Sequence, residues 1–466
     1  MRRLLVACGA IAAIAGTGCA QTPPLRTVGT HPTAPAQRLF PADSEVQAVL
    51  DSLVAQGRVE GIAVGLIEPD GSRRTLFAGD TGANARPVSA DTVFELGSLN
   101  KTFTGTLLAD AVRRGEVSLD DPVAKYLPSQ VRVPSRNGRE ITLLDLATHS
   151  SGLPRIPTGY APPDPADPYA AFGEAELYAF LSGYTLEREI GATPEYSNLG
   201  MGLLGHALAR AAGAETYADL VRARILEPLG MERTAFPRRG EADLALATGH
   251  DADGVPVPHW HVATLGGAGG LNAPLGDMLA YLEAQLGPPT RPIEGAMREA
   301  HQPRRPLEDA GWQIGLGWQV RDRDGHRLVS HGGGTAGFST MLGFDPESGA
   351  GAVILANSAE FGARDELLSQ LLFGGPVVTP PAGALADYAG TYRLRPGLDV
   401  TVAVRDGRLH AALPGQPEVQ LFAAEDGSFY PLVAPARFRF ARDPSGAVTG
   451  MTLTQGERSA TGARVG

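Results

Sequence analysis

Apolar residues along the chain change their spacing from region to region, and this spacing predicts where helices and strands lie. Residues 44–57 (SEVQAVLDSLVAQG) carry apolar side chains at helical intervals, and 61–82 reads as two strands around a Pro-Asp-Gly turn. Between about 100 and 300, helical segments dominate, such as TGTLLADAVRRG and LGMGLLGHALARAAG, the second of which ends at Gly213. The first part of the chain therefore predicts a short helix, a strand pair and a long helical region.

Strands return after this helical region. HRLVSHGGG (326–334) reads as a strand, 337–357 as a hairpin, and a helix from about 363 to 373 follows. Strands at both ends with helices between them are typical of a mixed domain whose sheet is completed by its C-terminal part. We therefore predict an α/β (α+β) domain over residues 42–375.

The last part of the chain has a different pattern. Residues 376–384 belong to a Pro- and Gly-rich stretch, GGPVVTPPAG, which we interpret as a linker that separates two cores. Beyond it, apolar and polar residues alternate, and the turns carry Asp-Gly or Pro-Ser-Gly. We predict a small all-β domain over residues 385–466, either a sandwich or an up-and-down barrel.

The N-terminus has the plan of an export signal. Two arginines precede an uncharged apolar stretch and a run of small residues, so we assign residues 1–20 to a signal peptide. Residues 21–41 are rich in Pro, Thr and Ala without a periodic apolar face, and we interpret them as an extended tether. We therefore expect an exported protein of the periplasm or cell envelope.

Two kinds of processing fit the end of this leader. Cleavage after Ala20 suits the small residues of an ordinary signal peptide. Alternatively, GTGC at 16–19 resembles a bacterial lipoprotein box, with Gly where Leu is usual, and this would attach the chain to the membrane through a lipidated Cys19. We favour the lipoprotein alternative because Cys19 is otherwise an unusual residue at that place.

Composition and charge narrow the class of protein. The net charge of −11 argues against nucleic acid as a partner. The two cysteines, Cys8 and Cys19, both lie in the leader, so the mature chain has neither a thiol nucleophile nor a disulfide. Cysteine proteases, zinc fingers and iron–sulfur proteins are thereby excluded.

Three short motifs carry candidate chemistry. Ser98 and Lys101 lie one helical turn apart at the start of a helix, so that an amine can activate a hydroxyl. Tyr196, in YSN, can carry a proton to a leaving group, and Asn198 completes that motif. His331 begins HGGG, whose glycines let a strand approach an acyl group and supply an N–H group to it. The combination predicts acyl transfer.

S-x-x-K, then Y-x-N, then a [KH]-x-G triplet resembles the serine β-lactamase and penicillin-binding-protein superfamily. The tyrosine points to its branch of class C β-lactamases, D-Ala-D-Ala carboxypeptidases, D-aminopeptidases and esterases. The resemblance implies an antiparallel sheet beside a helical lobe, and a lipocalin-like C-terminal module. It also implies an acyl-enzyme on Ser98, proton transfer by Lys101 and Tyr196, and substrate binding by Asn198 and Gly333. The N–H groups of Ser98 and Gly334 would form the oxyanion hole.

His331 is where the chain departs from this pattern. The β-lactamases and carboxypeptidases usually have a lysine there, which is a fixed cation for a substrate carboxylate, whereas esterase and aminopeptidase relatives often carry His. An imidazole has a pKa of ~6.5 unless its surroundings shift it, so we expect His331 to bind substrate carboxylates in a pH-dependent way.

The predicted function is an exported serine hydrolase without a cofactor that cleaves an amide, lactam or ester in a small-molecule or peptide substrate. D-amino-acid peptides, peptidoglycan fragments and β-lactams are the substrates that the resemblance favours. A short-chain esterase is the enzymatic alternative, and a catalytically weak binding or envelope protein is the alternative from another class. HGGG also occurs in lipases, but the G-x-S-x-G motif of that fold is absent from the chain.

Other polar residues have simpler interpretations. His259 and His261 could form half of a metal site, but no motif accompanies them, and we expect no metal. We interpret His149 as structural, and we expect Glu95 and Asp145 to cap helices or to pair with nearby residues.

Overall fold

The structure, a computed structural model, describes residues 39–82, 86–237, 245–262, 264–309, 311–323, 326–374, 377–381, 383–456 and 458–466. The predicted leader and nearly all of the predicted tether lie outside the described residues, as do Cys8 and Cys19. Among the helices of the described part, none has both the length and the apolar character needed to cross a bilayer.

The helices and strands are numbered in chain order. The α-helices are α1 (Asp43–Ala55), α2 (Asn100–Arg113), α3 (Leu143–Ala147), α4 (Glu174–Gly183), α5 (Asn198–Ala211), α6 (Tyr217–Val221), α7 (Glu227–Leu229), α8 (Leu275–Leu286), α9 (Pro292–Ala300) and α10 (Phe361–Phe373). The strands of the N-terminal part are β1 (Gly61–Ile67), β2 (Arg73–Gly79), β3 (Val93–Glu95), β4 (Gly249–His250), β5 (Pro256–Val257), β6 (Asn272–Pro274), β7 (Arg305–Pro306), β8 (Trp312–Ile314), β9 (Gln319–Arg323), β10 (His326–Gly334), β11 (Ser339–Asp345) and β12 (Ala350–Ala356). Those of the C-terminal part are β13 (Val377–Val378), β14 (Gly390–Arg395), β15 (Leu398–Arg405), β16 (Arg408–Ala412), β17 (Val419–Ala424), β18 (Phe429–Tyr430), β19 (Ala436–Arg442), β20 (Val448–Gln455) and β21 (Arg458–Arg464).

An eight-stranded antiparallel sheet forms the centre of the N-terminal part. Its strand order is β2-β1-β12-β11-β10-β9-β8-β7, so a strand from the beginning of the region pairs with one from its end. In the register of that pair, Ile62 lies opposite Ala356 and Ile67 opposite Gly351. The prediction that the C-terminal part of the domain completes the sheet is confirmed.

The two faces of this sheet pack against different helices. In β1, Ala63 and Ile67 belong to the apolar core that contains α2, α5 and α8, whereas Ile62, Val64 and Leu66 belong to a second core with α1 and α10. Successive side chains of a strand point to opposite faces, so a strand buried on both faces is apolar throughout. The sheet is therefore the middle layer of three.

The C-terminal strands close into a barrel. The order β17-β16-β15-β14-β21-β20-β19-β18 returns to β17, because β18 pairs with both β19 and β17. Except for the closing pair of β14 and β21, neighbours in this barrel are also neighbours in sequence, as in an up-and-down barrel. Of the two predicted architectures, the barrel is confirmed. Tyr392, Val400, Phe438 and Met451 are among the residues that fill it.

The segment predicted as a linker contributes a short strand to the barrel sheet, and the barrel also packs against the N-terminal part. Val377–Val378 pairs with β17 of the barrel. Buried residues of the C-terminal part, among them Phe422, Tyr430 and Leu432, pack in the same apolar core as α1 and α10. Apolar side chains on the outside of a small barrel must be covered, and here α1 and α10 cover them. The barrel keeps an interior core of its own, and its outer face shares a second core with α1 and α10.

Candidate active site

Ser98 lies in a tight turn between a buried strand and a buried helix. β3 leads into a 3₁₀ turn, Gly97–Leu99, and α2 begins at the next residue. Gly97 has φ +54°, and a Cβ atom there would lie 2.6 Å from the backbone nitrogen of Gly334. Only glycine allows this approach, which brings the end of β10 beside Ser98.

Lys101 is fully buried next to this hydroxyl. Its Nζ lies 2.8 Å from the Ser98 Oγ and donates to the carbonyl of Ala268 at 2.7 Å. Burial, helped by the positive charge of Arg155, lowers the pKa of Lys101 well below its usual value. A neutral amine that donates one hydrogen to the Ala268 carbonyl can turn its lone pair towards the Ser98 hydroxyl and accept its proton. Lys101 therefore has the properties of a general base.

Tyr196 is placed on the other side of Lys101. The Lys101 Nζ lies 4.8 Å from the centre of the tyrosine ring, and the ring of His149 packs on it at 4.6 Å. Burial raises the pKa of Tyr196 to about 12, although Ser98 and Arg155 oppose the shift. The phenol therefore stays protonated and can donate a hydrogen bond or a proton.

His149 holds the segment that carries Tyr196. Its Nδ1 accepts the N–H of Ser197 at 3.2 Å, and its carbonyl accepts the N–H of Glu195 at 2.8 Å. Its φ of +56° lies in the left-handed region, which is costly for a residue with a Cβ atom. Burial, followed by the charge of Lys101, lowers its pKa well below the usual value. This neutral ring is structural, as predicted, and it supports the segment that places Tyr196 in the candidate site.

Asn198 begins α5 and faces the same cleft. Its backbone N–H donates to the carbonyl of Arg155 at 2.9 Å, and its Nδ2 lies 3.4 Å from the Tyr169 hydroxyl. The buried Oδ1 has no hydrogen-bond partner within the part of the chain that the structure describes. Since buried acceptors rarely stay unpaired, this oxygen is suited to an N–H group of a substrate.

His331 does not have the properties that its sequence position predicts. It is buried on β10, and its Nδ1–H donates to the carbonyl of Gly332 at 2.7 Å. Burial, and then the charge of Lys101, lowers the pKa of His331 to about 3. The imidazole is therefore neutral at ordinary pH, so our expectation that it titrates near 6.5 is wrong, whereas its contact with substrate stays a prediction.

The glycines that follow let β10 lie directly on the nucleophile segment. A Cβ atom at Gly333 would lie 1.9 Å from the carbonyl oxygen of Leu96, and one at Gly334 would lie 2.6 Å from the ring of Phe361. No side chain fits at either position. Gly334 and Ser98 thus line the same cavities.

Two cavities meet at Ser98. One, of about 300 Å³, includes Glu95, Asn198 and Trp260, and the other, of about 430 Å³, includes Tyr196, His331 and Arg364. Ser98, Arg155, Gly334 and Thr335 line both. A substrate that reaches Ser98 therefore has room for one group on each side of the reacting bond.

The two histidines considered for a metal site separate in the structure. The Nδ1 of His259 lies 2.9 Å from Glu95, and the Nδ1 of His261 lies 2.6 Å from Asp167. Glu95 thus pairs with a residue far along the chain, which corrects our expectation of a local partner. Asp145 caps α3, as predicted. In the described ranges, His, Cys, Asp and Glu form no group of three that could hold a metal ion.

Comparison with known proteins agrees with this geometry. Residues 46–374 match the Beta-lactamase family, which is more than half of the chain. The chain belongs to the Beta-lactamase family. Residues 375–463 match a domain of unknown function, DUF3471, and these include nearly all of the barrel.

Individual members of the family share about a quarter of their residues with this chain. It is 29% identical over 338 residues to the D-alanyl-D-alanine-carboxypeptidase/endopeptidase AmpH of Escherichia coli (strain K12), a match that covers 68% of this chain and 86% of AmpH. It is 26% identical over 346 residues to a β-lactamase of Pseudomonas fluorescens, covering 67% and 92%.

Solved structures show the same fold. A class C β-lactamase from Rhodobacter sphaeroides superposes with a TM-score of 0.57 at 26% identity, over 68% of this chain and 94% of the other. A β-lactamase/D-alanine carboxypeptidase from Pseudomonas syringae gives a TM-score of 0.62 at 23% identity, over 71% and 97%. The predicted superfamily and enzyme class, a hydrolase of the β-lactamase and penicillin-binding-protein type, are confirmed.

Proposed function

We propose that Ser98 is the nucleophile of an exported serine hydrolase that cleaves D-amino-acid peptides or β-lactams through an acyl-enzyme. The observation that supports this most directly is the buried Lys101 amine, 2.8 Å from the Ser98 Oγ and with a lowered pKa. A buried, uncompensated lysine destabilises a fold, so its presence beside a hydroxyl is best explained by catalysis.

The reaction follows from the positions of three side chains. Lys101 takes the Ser98 proton as the Oγ attacks the substrate carbonyl, and the N–H groups of Ser98 and Gly334 stabilise the oxyanion. Tyr196 gives its proton to the leaving nitrogen as the C–N bond breaks, and Lys101 returns a proton to Tyr196. Water then attacks the acyl-enzyme by the reverse proton path and releases Ser98.

The substrate is held beside this apparatus. The Oδ1 of Asn198 accepts an amide N–H of the acyl part, and the backbone of Gly333 and Gly334 lies along the substrate. AmpH, named as a carboxypeptidase and endopeptidase, and the β-lactamases among the relatives support peptides and lactams as the substrate class. The neutral His331 supports a second candidate, a short-chain esterase, because it supplies no cation for a carboxylate.

The place of action rests on the leader. Residues 1–20 support export to the periplasm or envelope, and Cys19 supports a lipid anchor. Mass spectrometry of the mature N-terminus tests this, because a lipidated Cys19 and a free residue after Ala20 differ in mass.

The test of the nucleophile is covalent labelling. The wild type should react with a fluorophosphonate or a fluorescent penicillin and turn over at least one of nitrocefin, a D-Ala-D-Ala peptide and p-nitrophenyl butyrate. Ser98→Ala should abolish labelling and turnover, while Ser135→Ala, which alters an exposed serine, should keep both. Labelling that persists in Ser98→Ala would refute the assignment, and an unlabelled wild type would favour a binding protein.

A further inference from the structure

The cavity that contains His331 has two arginines, and their surroundings differ. Arg364 is 11% exposed; its guanidinium donates to the carbonyls of Gly333 and Thr340 and pairs with Asp365. These contacts use its donors to hold β10 and β11 in place. Arg364 therefore has a structural role at the site, and these donors are not available to a substrate.

Arg155 is held by its backbone and leaves its side chain free. Its carbonyl accepts the N–H groups of Asn198 and Leu199 at 2.9 and 3.2 Å, which ties it to the start of α5. Its guanidinium lies 4.9 Å from the centre of the Tyr196 ring and is exposed to the cavity. Over the residues that the structure describes, no hydrogen bond or ion pair engages this guanidinium, so its five donors are unused.

The acidic residues of the two cavities are occupied elsewhere. Glu95 accepts from His259 and from the backbone N–H of Trp260, and Asp365 pairs with Arg364. Arg155 lines both cavities and lies over the phenol that protonates the leaving group. An anion on the leaving group would therefore meet an unpaired cation there.

We propose that Arg155 binds a carboxylate on the leaving group of the substrate, and so selects peptides with a free C-terminal carboxylate at the cleaved end. The planar fork of a guanidinium fits a carboxylate with two parallel hydrogen bonds. This inference rests on the proposed function, because it assigns the substrate class of the Ser98 site. Arg155 is a specificity residue, since it contacts the substrate, and its charge only adds to the lowering of the Lys101 pKa that burial mainly causes.

The experiment compares two substrates that differ in one group: an N-acylated D-Ala-D-Ala peptide and the same peptide with a C-terminal carboxamide. Loss of a charge-assisted hydrogen bond should lower kcat/KM for the acid about ten- to a hundredfold in Arg155→Ala, and should change that for the amide less than about threefold. Arg155→Lys should recover part of the preference because it keeps the charge. Arg222→Ala removes an exposed arginine outside both cavities and should change neither substrate.

The rate of fluorophosphonate labelling, measured in every variant, separates this inference from the proposed function. Unchanged labelling with a selective loss on the acid supports the inference. An equal loss on both peptides, or slower labelling in Arg155→Ala, overturns it and assigns Arg155 to positioning Tyr196. A wild type that is labelled but shows no preference for the acid overturns it and leaves the nucleophile standing. An unlabelled wild type overturns both.

Discussion

The three-layer part of the chain that contains Ser98, which we call the hydrolase layer, buries different kinds of side chain from the barrel. Around Ser98, the hydrolase layer encloses three bases, Lys101, His149 and His331, and burial lowers the pKa of each. The barrel interior is aliphatic and aromatic, and its charged side chains pair on the outside, as Arg393 does with Asp399. The barrel interior therefore holds side chains whose burial stabilises the fold, whereas the hydrolase layer encloses costly bases at the proposed site of the chemistry.

The largest expected effect is on Lys101. Lys101→Met removes the proposed general base and should lower kcat about 10²–10⁴-fold. The same change should stabilise the fold. The folded state lowers the pKa of Lys101. Between this lowered value and the ordinary pKa of lysine, the unfolded chain binds one more proton than the folded protein, so the free energy of unfolding falls as pH decreases. Urea unfolding at pH 6 and pH 9 should show a weaker pH dependence in the variant.

Lys125→Met is the matched control. Lys125 is exposed, pairs with Asp121 and has a raised pKa, so its loss should leave kcat unchanged and should not stabilise the protein. If Lys101→Met retained near-normal turnover, another group would be the base. If it destabilised the protein, the amine would be better compensated than its burial implies.

An intermediate effect concerns the core that the two parts share. Phe422 is buried with α1 and α10, whereas Phe438 lies inside the barrel. Either change to Ala should cost about 3–5 kcal/mol. Phe422→Ala should also lower the temperature at which Ser98 loses its labelling, because the change opens a cavity in the core that the barrel shares with α1 and α10.

Calorimetry and labelling of both variants sharpen the comparison. We expect Phe422→Ala to lower the calorimetric unfolding temperature and the temperature at which labelling is lost by the same amount. Labelling that survives to the wild-type temperature in Phe422→Ala would show that the contact between barrel and hydrolase layer contributes nothing to the stability of the site.

The smallest expected effect concerns His331, which we expect not to titrate in the working pH range. With a pKa of about 3, His331 gains a proton only as pH falls through that value, so it is neutral from pH 5.5 to 8.5. The ratio of KM for nitrocefin to KM for p-nitrophenyl butyrate should therefore follow the same pH profile in the wild type and in His331→Asn. A rise in this ratio near pH 6.5 in the wild type alone would show that His331 does carry a charge.

The sequence predicted the elements whose pattern is local. Ser98 and Lys101 are three residues apart on helical geometry, and alternation marked most barrel strands. β21 was not predicted, because it lacks a large apolar residue and its side chains are mostly exposed. It is a strand because β14 and β20 bind it from both sides, and that pairing is a property of the closed barrel.

Burial and backbone contacts account for what the sequence did not predict at the site. The state of His331 depends on how deeply β10 is covered, and a motif does not contain that information. Lys101 binds a backbone carbonyl, that of Ala268, and every residue has such a carbonyl, so the sequence does not reveal this contact. Arg155 stands in a loop without periodicity, and its position is visible only once its carbonyl is seen to bind the start of α5.

The pairing of β1 with β12 also has a consequence for a chain that is made from its N-terminus. Strands that are far apart in sequence join only after the residues between them exist. A chain interrupted before Ala268 contains Ser98 and Lys101 but lacks the carbonyl that orients the amine, and one interrupted before Gly334 lacks one N–H group of the proposed oxyanion hole. Unfinished chains thus carry the proposed nucleophile without its partners, so we expect hydrolytic activity to appear only with the last third of the domain.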